Sequence, residues 1–205
     1  MNVFILNTGR CGSTTFIKAC AHITNYSSGH ETRCHLIGKD HMAYPKDHIE
    51  ADNRLTWFLG RLDEAFGKEA HYVHLRRDDH TTAESFVKRY DRGIMKAYHG
   101  AMLMSYAGQN SQIEVAMDYC ETVNSNIRQF LKDKPHRMDF ALETAQEDFK
   151  KFWVWIGAEG DLDAALAEWT ITHNATKERA PEPPPPPPPP PPTLAQRIKR
   201  RFSLL

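Results

Sequence analysis

The chain has 205 residues, and its 26 Lys and Arg balance 26 Asp and Glu. That length suits one ordinary domain with a core able to fold alone, and the charge balance leaves no global field to gather nucleic acid or a membrane surface. Cys11, Cys20, Cys34 and Cys120 make no Cys-x-x-Cys pair and no disulfide framework, and no run approaches the roughly 20 apolar residues of a membrane span, so a soluble cytoplasmic protein without a signal peptide is expected.

Val3-Phe4-Ile5-Leu6 is a short apolar run of strand formers and predicts a buried parallel strand. Asn7 to Thr15 is a turn of small residues around one fixed cation, Arg10. After it, Phe16, Ile17, Ala19, Cys20 and Ile23 keep helical spacing. Strand, small-residue loop and helix together can hold phosphate, because loop amides and the helix N-terminus converge on an anion. Glycine lets the backbone approach that anion closely. The ATP and GTP form of such a loop, G-x-x-x-x-G-K-[ST], carries a lysine that is missing here.

Asn25 to Gly38 is polar and turn-rich and reads as a loop over the sheet edge. His22, His30, His35, His41 and His48 crowd this part in spacings that suit no familiar zinc ligand set, so no metal is expected. Asp47 to Phe66 predicts one long helix, about 30 Å, with Ile49, Leu55, Phe58, Leu59 and Leu62 on its apolar face. Gly67 suits its end. Ala70 to Leu75 predicts the next strand, which runs into Arg76-Arg77-Asp78-Asp79. Those charges fall at a strand's C-terminal end, where open α/β sheets bind ligands.

Asp79 is expected to cap a helix from about His80 to Tyr90. Helices are predicted over Ile94 to Tyr106 and Ser111 to Lys132, a strand over Met138 to Leu142, and a helix over Gln146 to Ile156. Phe149, Phe152, Trp153 and Ile156 make the packed stripe of that last helix. Asp161 caps a short final helix to Trp169. The alternation implies an α/β three-layer sandwich, a mainly parallel central sheet flanked by helices.

From Thr176 the composition changes. Pro183 to Pro192 favours polyproline II, a semi-rigid spacer of about 30 Å. Beyond it, Leu194, Ile198, Arg201 and Phe202 fall near one face, beside Arg197, Lys199 and Arg200. This is either a basic amphipathic helix for a membrane surface or partner protein, or a solubilising tail. The expected organisation is a domain over 1–175, a proline-rich linker over 176–192 and a basic segment over 193–205.

Arg10-Cys11-Gly12-Ser13-Thr14 resembles the 5′-phosphosulfate loop of sulfotransferases, which reads roughly [RK]-S-G-[TS]-[TS], with Cys11 in place of serine. Those enzymes use 3′-phosphoadenosine 5′-phosphosulfate (PAPS). Arg77, with Ser85 eight residues on, resembles their 3′-phosphate pair, an arginine at a strand end and a serine on the next helix. A guanidinium grips phosphate bidentately, and the serine adds a hydroxyl from the same side. Gly29-His30-Glu31-Thr32-Arg33 resembles the G-E-E-T-R segment of tyrosylprotein sulfotransferases, whose second glutamate is the catalytic base. Arg10 and Glu31 are separated as in that family, and the resemblance spans roughly residues 1–172.

The resemblance implies a P-loop-type fold and transfer of a sulfuryl group from PAPS to an acceptor hydroxyl, without metal or nucleic acid. Gly9, Arg10, Cys11, Gly12, Ser13, Thr14 and Thr15, together with Arg77 and Ser85, would bind the donor. Arg10 would also act in catalysis, and Glu31 would take the acceptor's proton, with His35 and His41 as rival bases. The family's R-K-G-x-x-G segment is absent, so part of the donor grip must come from elsewhere. The acceptor class, whether carbohydrate, peptide or small molecule, stays open. A P-loop kinase or a non-catalytic adaptor with a degenerate nucleotide fold are the alternative readings.

Overall fold

Five short strands lie side by side in a structure, a computed structural model, that describes residues 1–104, 109–171 and 173. In chain order the elements are β1 (Val3–Asn7), α1 (Ser13–Cys20), β2 (Ser27–His30), β3 (His48–Ala51), α2 (Leu59–Phe66), β4 (His71–Arg76), α3 (Asp79–Val87), α4 (Gly93–Ala97), α5 (Gln112–Leu131), β5 (Arg137–Ala141), α6 (Ala145–Trp155) and α7 (Leu162–Ala167). The sheet order is β2-β3-β1-β4-β5, and every pairing is parallel. The central strand is β1, with Val3 opposite Ile49 on one side and His71 on the other.

Each residue of β1 is buried because helices cover both faces of the sheet. Side chains alternate along a strand, so Val3 and Ile5 enter one core and Phe4 and Leu6 the other. On the first face, α1, α6 and α7 bring Phe16, Phe149, Phe152 and Ala165 against Val73, Leu75 and Phe140. The Phe16 ring makes edge contacts with Phe140, Phe149 and Phe152 at 4.9–5.5 Å. On the second face, α2, α3, α4 and α5 pack Leu62, Phe86, Met95, Tyr119 and Ile127 over Phe4, Leu6 and Tyr72. Because all strands run the same way, their C-terminal ends share one edge, and the loops that leave them form one surface.

Three expectations are corrected. The stretch read as one helix over 47–66 is β3, a 3₁₀ turn (Asn53–Trp57) and α2. Its first part is extended because His48 and Glu50 are not a polar helix face but a buried pair on a strand, His48 Nε2 to Glu50 Oε2 at 2.9 Å. The stretch read as loop over 25–38 contains β2, whose small polar residues pair with β3 from Ser27 opposite His48 to His30 opposite Ala51. The cap of α3 is Asp78, whose Oδ1 accepts from Thr81 N–H at 2.8 Å. Asp79 instead accepts from Asn124 Nδ2 at 2.9 Å.

Other boundaries shift slightly. The helix expected over 94–106 is α4 followed by a π turn (Tyr98–Met102), and its last two expected residues lie outside the described ones. The expected Asp161 cap forms, and Ser111, expected as the first helical residue, instead caps α5 in a full capping box with Glu114. No described helix is long and apolar enough to cross a membrane. The proline-rich linker and the 193–205 segment lie outside the described residues.

Candidate functional site

The loop after β1 is built by one buried side chain. Asn7 ends the strand, fully buried, and its Nδ2 donates to Ile5 O at 2.8 Å. Its Oδ1 accepts from Gly9 N–H at 2.8 Å and from Cys11 Sγ at 3.6 Å. Tyr119 Oη donates to Thr8 O at 2.8 Å, which ties the loop to α5. Gly9, Arg10 and Gly12 have φ of 83°, 61° and 93°, the left-handed region. At Gly12 a Cβ would also lie 2.7 Å from Leu142 Cδ1, so the left-handed backbone favours glycine and any side chain there would have to displace Leu142.

Gly12 precedes α1 without a side-chain cap, and the first intrahelical bond runs from Phe16 N–H to Gly12 O. Helix geometry leaves the N–H groups of Ser13, Thr14 and Thr15 without intrahelical partners. They sit at the wall of a cleft of about 1120 Å³, which Gly9, Arg10, Gly12, Ser13, Thr14 and Thr15 all line. Cys11 is different. Its side chain is fully buried in the core under α1, and burial pushes its thiol up to about 11. Only its backbone belongs to the loop's outer face.

The second motif reaches the same cleft. Arg77 leaves the end of β4 and Ser85 sits on α3, and both line it. Arg77 Nη1 donates to Arg10 O at 3.4 Å, and Arg10 Nε donates to Ser85 Oγ at 3.0 Å. The β4–α3 turn is held by Glu143, whose Oε1 accepts from Asp78 N–H at 2.8 Å.

The third motif arrives from the sheet edge. Glu50 is fully buried on β3. Its carboxylate accepts from Thr32 N–H and Thr32 Oγ1, both at 2.7 Å, and meets His48 Nε2. Gly29 leaves room for this, since a Cβ there would fall 2.2 Å from Thr32 Cγ2. The Gly-x-Glu-Thr pattern therefore has a physical basis: Gly29 and Thr32 fold the turn, and Glu31 at its tip takes φ 55°. The Glu31 carboxylate meets Arg54, Oε2 to Nη1 at 2.6 Å, with its side chain 31% exposed. Arg33, the cation beside it in the sequence, instead donates to Asp40 O.

Of the histidines, His30 lines the cleft, with Nε2 3.0 Å from Ser13 Oγ. The rival bases His35 and His41 are not among the lining residues. His41 is buried against the Phe58 ring, and burial lowers its pKa, with Arg61 and Arg33 adding to the effect. The sequence reading also missed Asp52, Asn53 and Arg54. Asp52 is fully buried, its Oδ1 accepts from Arg54 N–H at 2.8 Å and lies 3.7 Å from Arg54 Nη1. Burial raises its carboxyl to about 6.

The cleft is cationic in a chain without net charge. Arg10, Arg54, Arg77, Lys88, Arg89 and Arg92 line it against two carboxylates, Glu31 and Glu84. Half-burial lowers the Arg10 pKa, and repulsion from Arg89 and Arg77 adds to it. Such a site favours a polyanion with several oxygen acceptors. Among the described residues, no three His, Cys, Asp or Glu side chains are grouped as a metal site would require. In comparisons with known proteins, no family model matches the chain, and no curated protein and no solved structure matches it.

Proposed function

We propose that this protein is a sulfotransferase that moves a sulfuryl group from PAPS to an acceptor hydroxyl, on a P-loop-type fold. One observation carries the reading. Three motifs from separate stretches of chain, Gly9–Thr15, Arg77 with Ser85, and Glu31, meet on one cationic cleft at the C-terminal edge of a parallel sheet. The cysteine pattern fits a cytoplasmic location.

In this reading the Gly9–Thr15 loop and the start of α1 hold the donor's 5′-phosphosulfate, and Arg77 and Ser85 hold its 3′-phosphate. Arg10 bears on the sulfuryl and bridging oxygens, where a preorganised cation supplies about 3–4 kcal/mol at the transition state. The acceptor oxygen attacks sulfur in line. The O–S bond to the acceptor forms, the bond from sulfur to the bridging phosphate oxygen breaks, and 3′,5′-ADP leaves. Glu31 takes the acceptor's proton, and Arg54 fixes its carboxylate in place. General-base help of this kind is worth about 10² to 10⁴ in rate.

The test is thermal stability with 3′,5′-ADP, against ADP and against ATP with magnesium. A ligand at 100 times its Kd stabilises the fold by about 2.7 kcal/mol. Selective stabilisation by 3′,5′-ADP, weakened by Arg77→Ala, is the expected result. Preference for ATP with magnesium overturns the donor assignment in favour of a kinase, and no response to any nucleotide favours the adaptor.

A further inference from the structure

A second polar group is assembled at the end of β2 opposite His30. Ser27 lies across from His48 in the pairing of β2 with β3, and Gly29 lies across from Glu50. Alternation along the strands therefore puts Ser27, His48 and Glu50 on one face of the sheet. Ser27 Oγ is 2.9 Å from His48 Nδ1, and His48 Nε2 is 2.9 Å from Glu50 Oε2. Ser27 is exposed, His48 is buried and Glu50 is fully buried. The line thus runs from a solvent-facing hydroxyl through an imidazole to a buried carboxylate. At about 3.3 Å per residue along a strand, Ser27 stands about 10 Å from His30. None of Ser27, His48 and Glu50 lines the cationic cleft.

Each member of the line is held. Thr32 donates to Glu50 through N–H and through Oγ1, both at 2.7 Å. The Tyr44 ring stacks on His48 at 5.8 Å. Gly29 leaves the space, since a Cβ there would come within 3.1 Å of Glu50 Oε2 and 3.4 Å of His48 Cε1. Glu50 is an acceptor on both oxygens, so His48 carries its N–H at Nε2, and the lone pair of Nδ1 faces the Ser27 hydroxyl. Those are the roles of a base, its orienter and a nucleophile, which geometry defines and chain order does not. An oxyanion donor is also in place. As β2 is an edge strand whose Ser27 N–H and Glu31 N–H turn inward to Asp47 O and Ala51 O, alternation turns Ser28 N–H to the open edge. The amide that follows the nucleophile is one that serine hydrolases use to hold the oxyanion.

We infer that Ser27, His48 and Glu50 form a second catalytic site, a serine esterase centre at the sheet edge, and that short-chain carboxylic esters are its substrate class. Ser27 Oγ attacks the ester carbonyl carbon, and His48 Nδ1 takes the hydroxyl proton. The bond from that carbon to the alcohol oxygen breaks, and the alcohol leaves with the proton. Water then attacks the acyl-serine with the same base, which releases the acid and restores the Ser27 hydroxyl. Glu50 acts through His48, holding its tautomer and stabilising the imidazolium. An exposed nucleophile has little apolar surface around it to grip a long chain, so the acyl group is a short one. The site stands apart from the donor reading and does not depend on it.

The experiment treats the full chain with a fluorophosphonate probe. Ser27 Oγ bonds to phosphorus, fluoride leaves, and His48 takes the proton. Peptide mass mapping locates the label, and 4-nitrophenyl acetate reads turnover. The expected result is label on Ser27 in the folded chain, and labelling about 10²-fold slower or more once urea unfolds it. Ser27→Ala, at an exposed position, keeps the fold and loses both label and acetate turnover. Glu50→Gln keeps the shape, but its amide donates to His48 Nε2 and leaves the N–H on Nδ1, facing Ser27. That wrong tautomer slows labelling about 10³- to 10⁴-fold. If Glu50→Gln melts low, the comparison of folded and unfolded wild type decides. No label on Ser27 in the folded wild type, equal labelling of the folded and unfolded chain, or undiminished labelling in folded Glu50→Gln overturns the site. Label on Ser13, which meets His30 in the cleft, in place of Ser27 overturns it too.

Discussion

Arg10 and Ser85 lie 75 positions apart in the chain, and Arg10 Nε donates to Ser85 Oγ across 3.0 Å. One belongs to the loop that would hold the donor's 5′ end and the other to the pair that would hold its 3′-phosphate. Their hydrogen bond spans the space between the two grips. An anion entering that space must replace it, and both partners then gain a charged acceptor. The guanidinium trades a neutral hydroxyl for an anionic acceptor, and Ser85 Oγ is freed to donate to the same anion, so the exchange favours the bound state.

Ser85→Ala is therefore expected to weaken 3′,5′-ADP by about tenfold or more in a calorimetric titration, the loss of one hydrogen bond to a charged group, about 1.5–3 kcal/mol. Arg10→Gly behaves differently. Arg10 sits at φ 61°, where a side chain costs about 1–2 kcal/mol and glycine is at ease. Tm should hold or rise slightly, while sulfuryl transfer, read as slow hydrolysis of PAPS with water as acceptor, falls about 10²- to 10³-fold. A large drop in Tm with Arg10→Gly would instead make Arg10 a structural residue.

Two groups at the tip of the sheet edge are candidates for the base of the proposed transfer. Glu31 is bound to Arg54, and His30 is within 3.0 Å of Ser13 Oγ. Glu31→Gln keeps the size and the Arg54 contact but cannot take a proton. It should cut transfer about 10²- to 10⁴-fold with 3′,5′-ADP affinity unchanged. His30→Asn should cost less than tenfold in rate and weaken the donor, since it acts on Ser13 of the loop. If the two losses are reversed, His30 is the base.

The strand, loop and helix at the start of the chain were legible because Val3 to Leu6 and Phe16 to Cys20 follow clean apolar patterns. So were the cleft residues on them. What stayed hidden was the sheet edge that carries Glu31. In His48-Ile49-Glu50-Ala51 two polar side chains point inward, bonded to each other, to Ser27 and to Thr32. A pattern reading treats His48 and Glu50 as solvent-facing, so the run merged with Leu59–Phe66 into a false helix. With β3 lost, Asp52, Asn53 and Arg54 at its end had no reason to be near the loop. The signal available was the paired spacing itself: a buried carboxylate must find donors, and Thr32 in the Gly-x-Glu-Thr turn supplies two.

Asp52 gives the last prediction, in which stability and activity move in opposite directions. Its carboxyl is fully buried, and Oδ2 has no hydrogen-bond partner among the described residues. Burial lifts its pKa from 3.8 to about 6. Between about pH 4 and 6 the folded state then holds more of this proton than the unfolded chain does. Stability therefore falls as pH rises through that window, by about 3 kcal/mol at most, and stays lower above it. Asp52→Asn cannot ionise, while its side-chain oxygen can still accept from Arg54 N–H. The variant should melt higher than wild type at pH 7.5, by about 2–3 kcal/mol of stability, and the gain should vanish near pH 4. The same change removes one of the two carboxylates that face the Arg54 guanidinium, so Arg54 leans on Glu31 alone and holds it less well defined. Sulfuryl transfer should drop several-fold with 3′,5′-ADP affinity unchanged, the pattern of a site that keeps a costly buried charge for function. A variant that is less stable at pH 7.5 would show that pairing with Arg54 outweighs burial, so that the Asp52 carboxyl is not raised, and it would then be part of the scaffold rather than a strained group in the site.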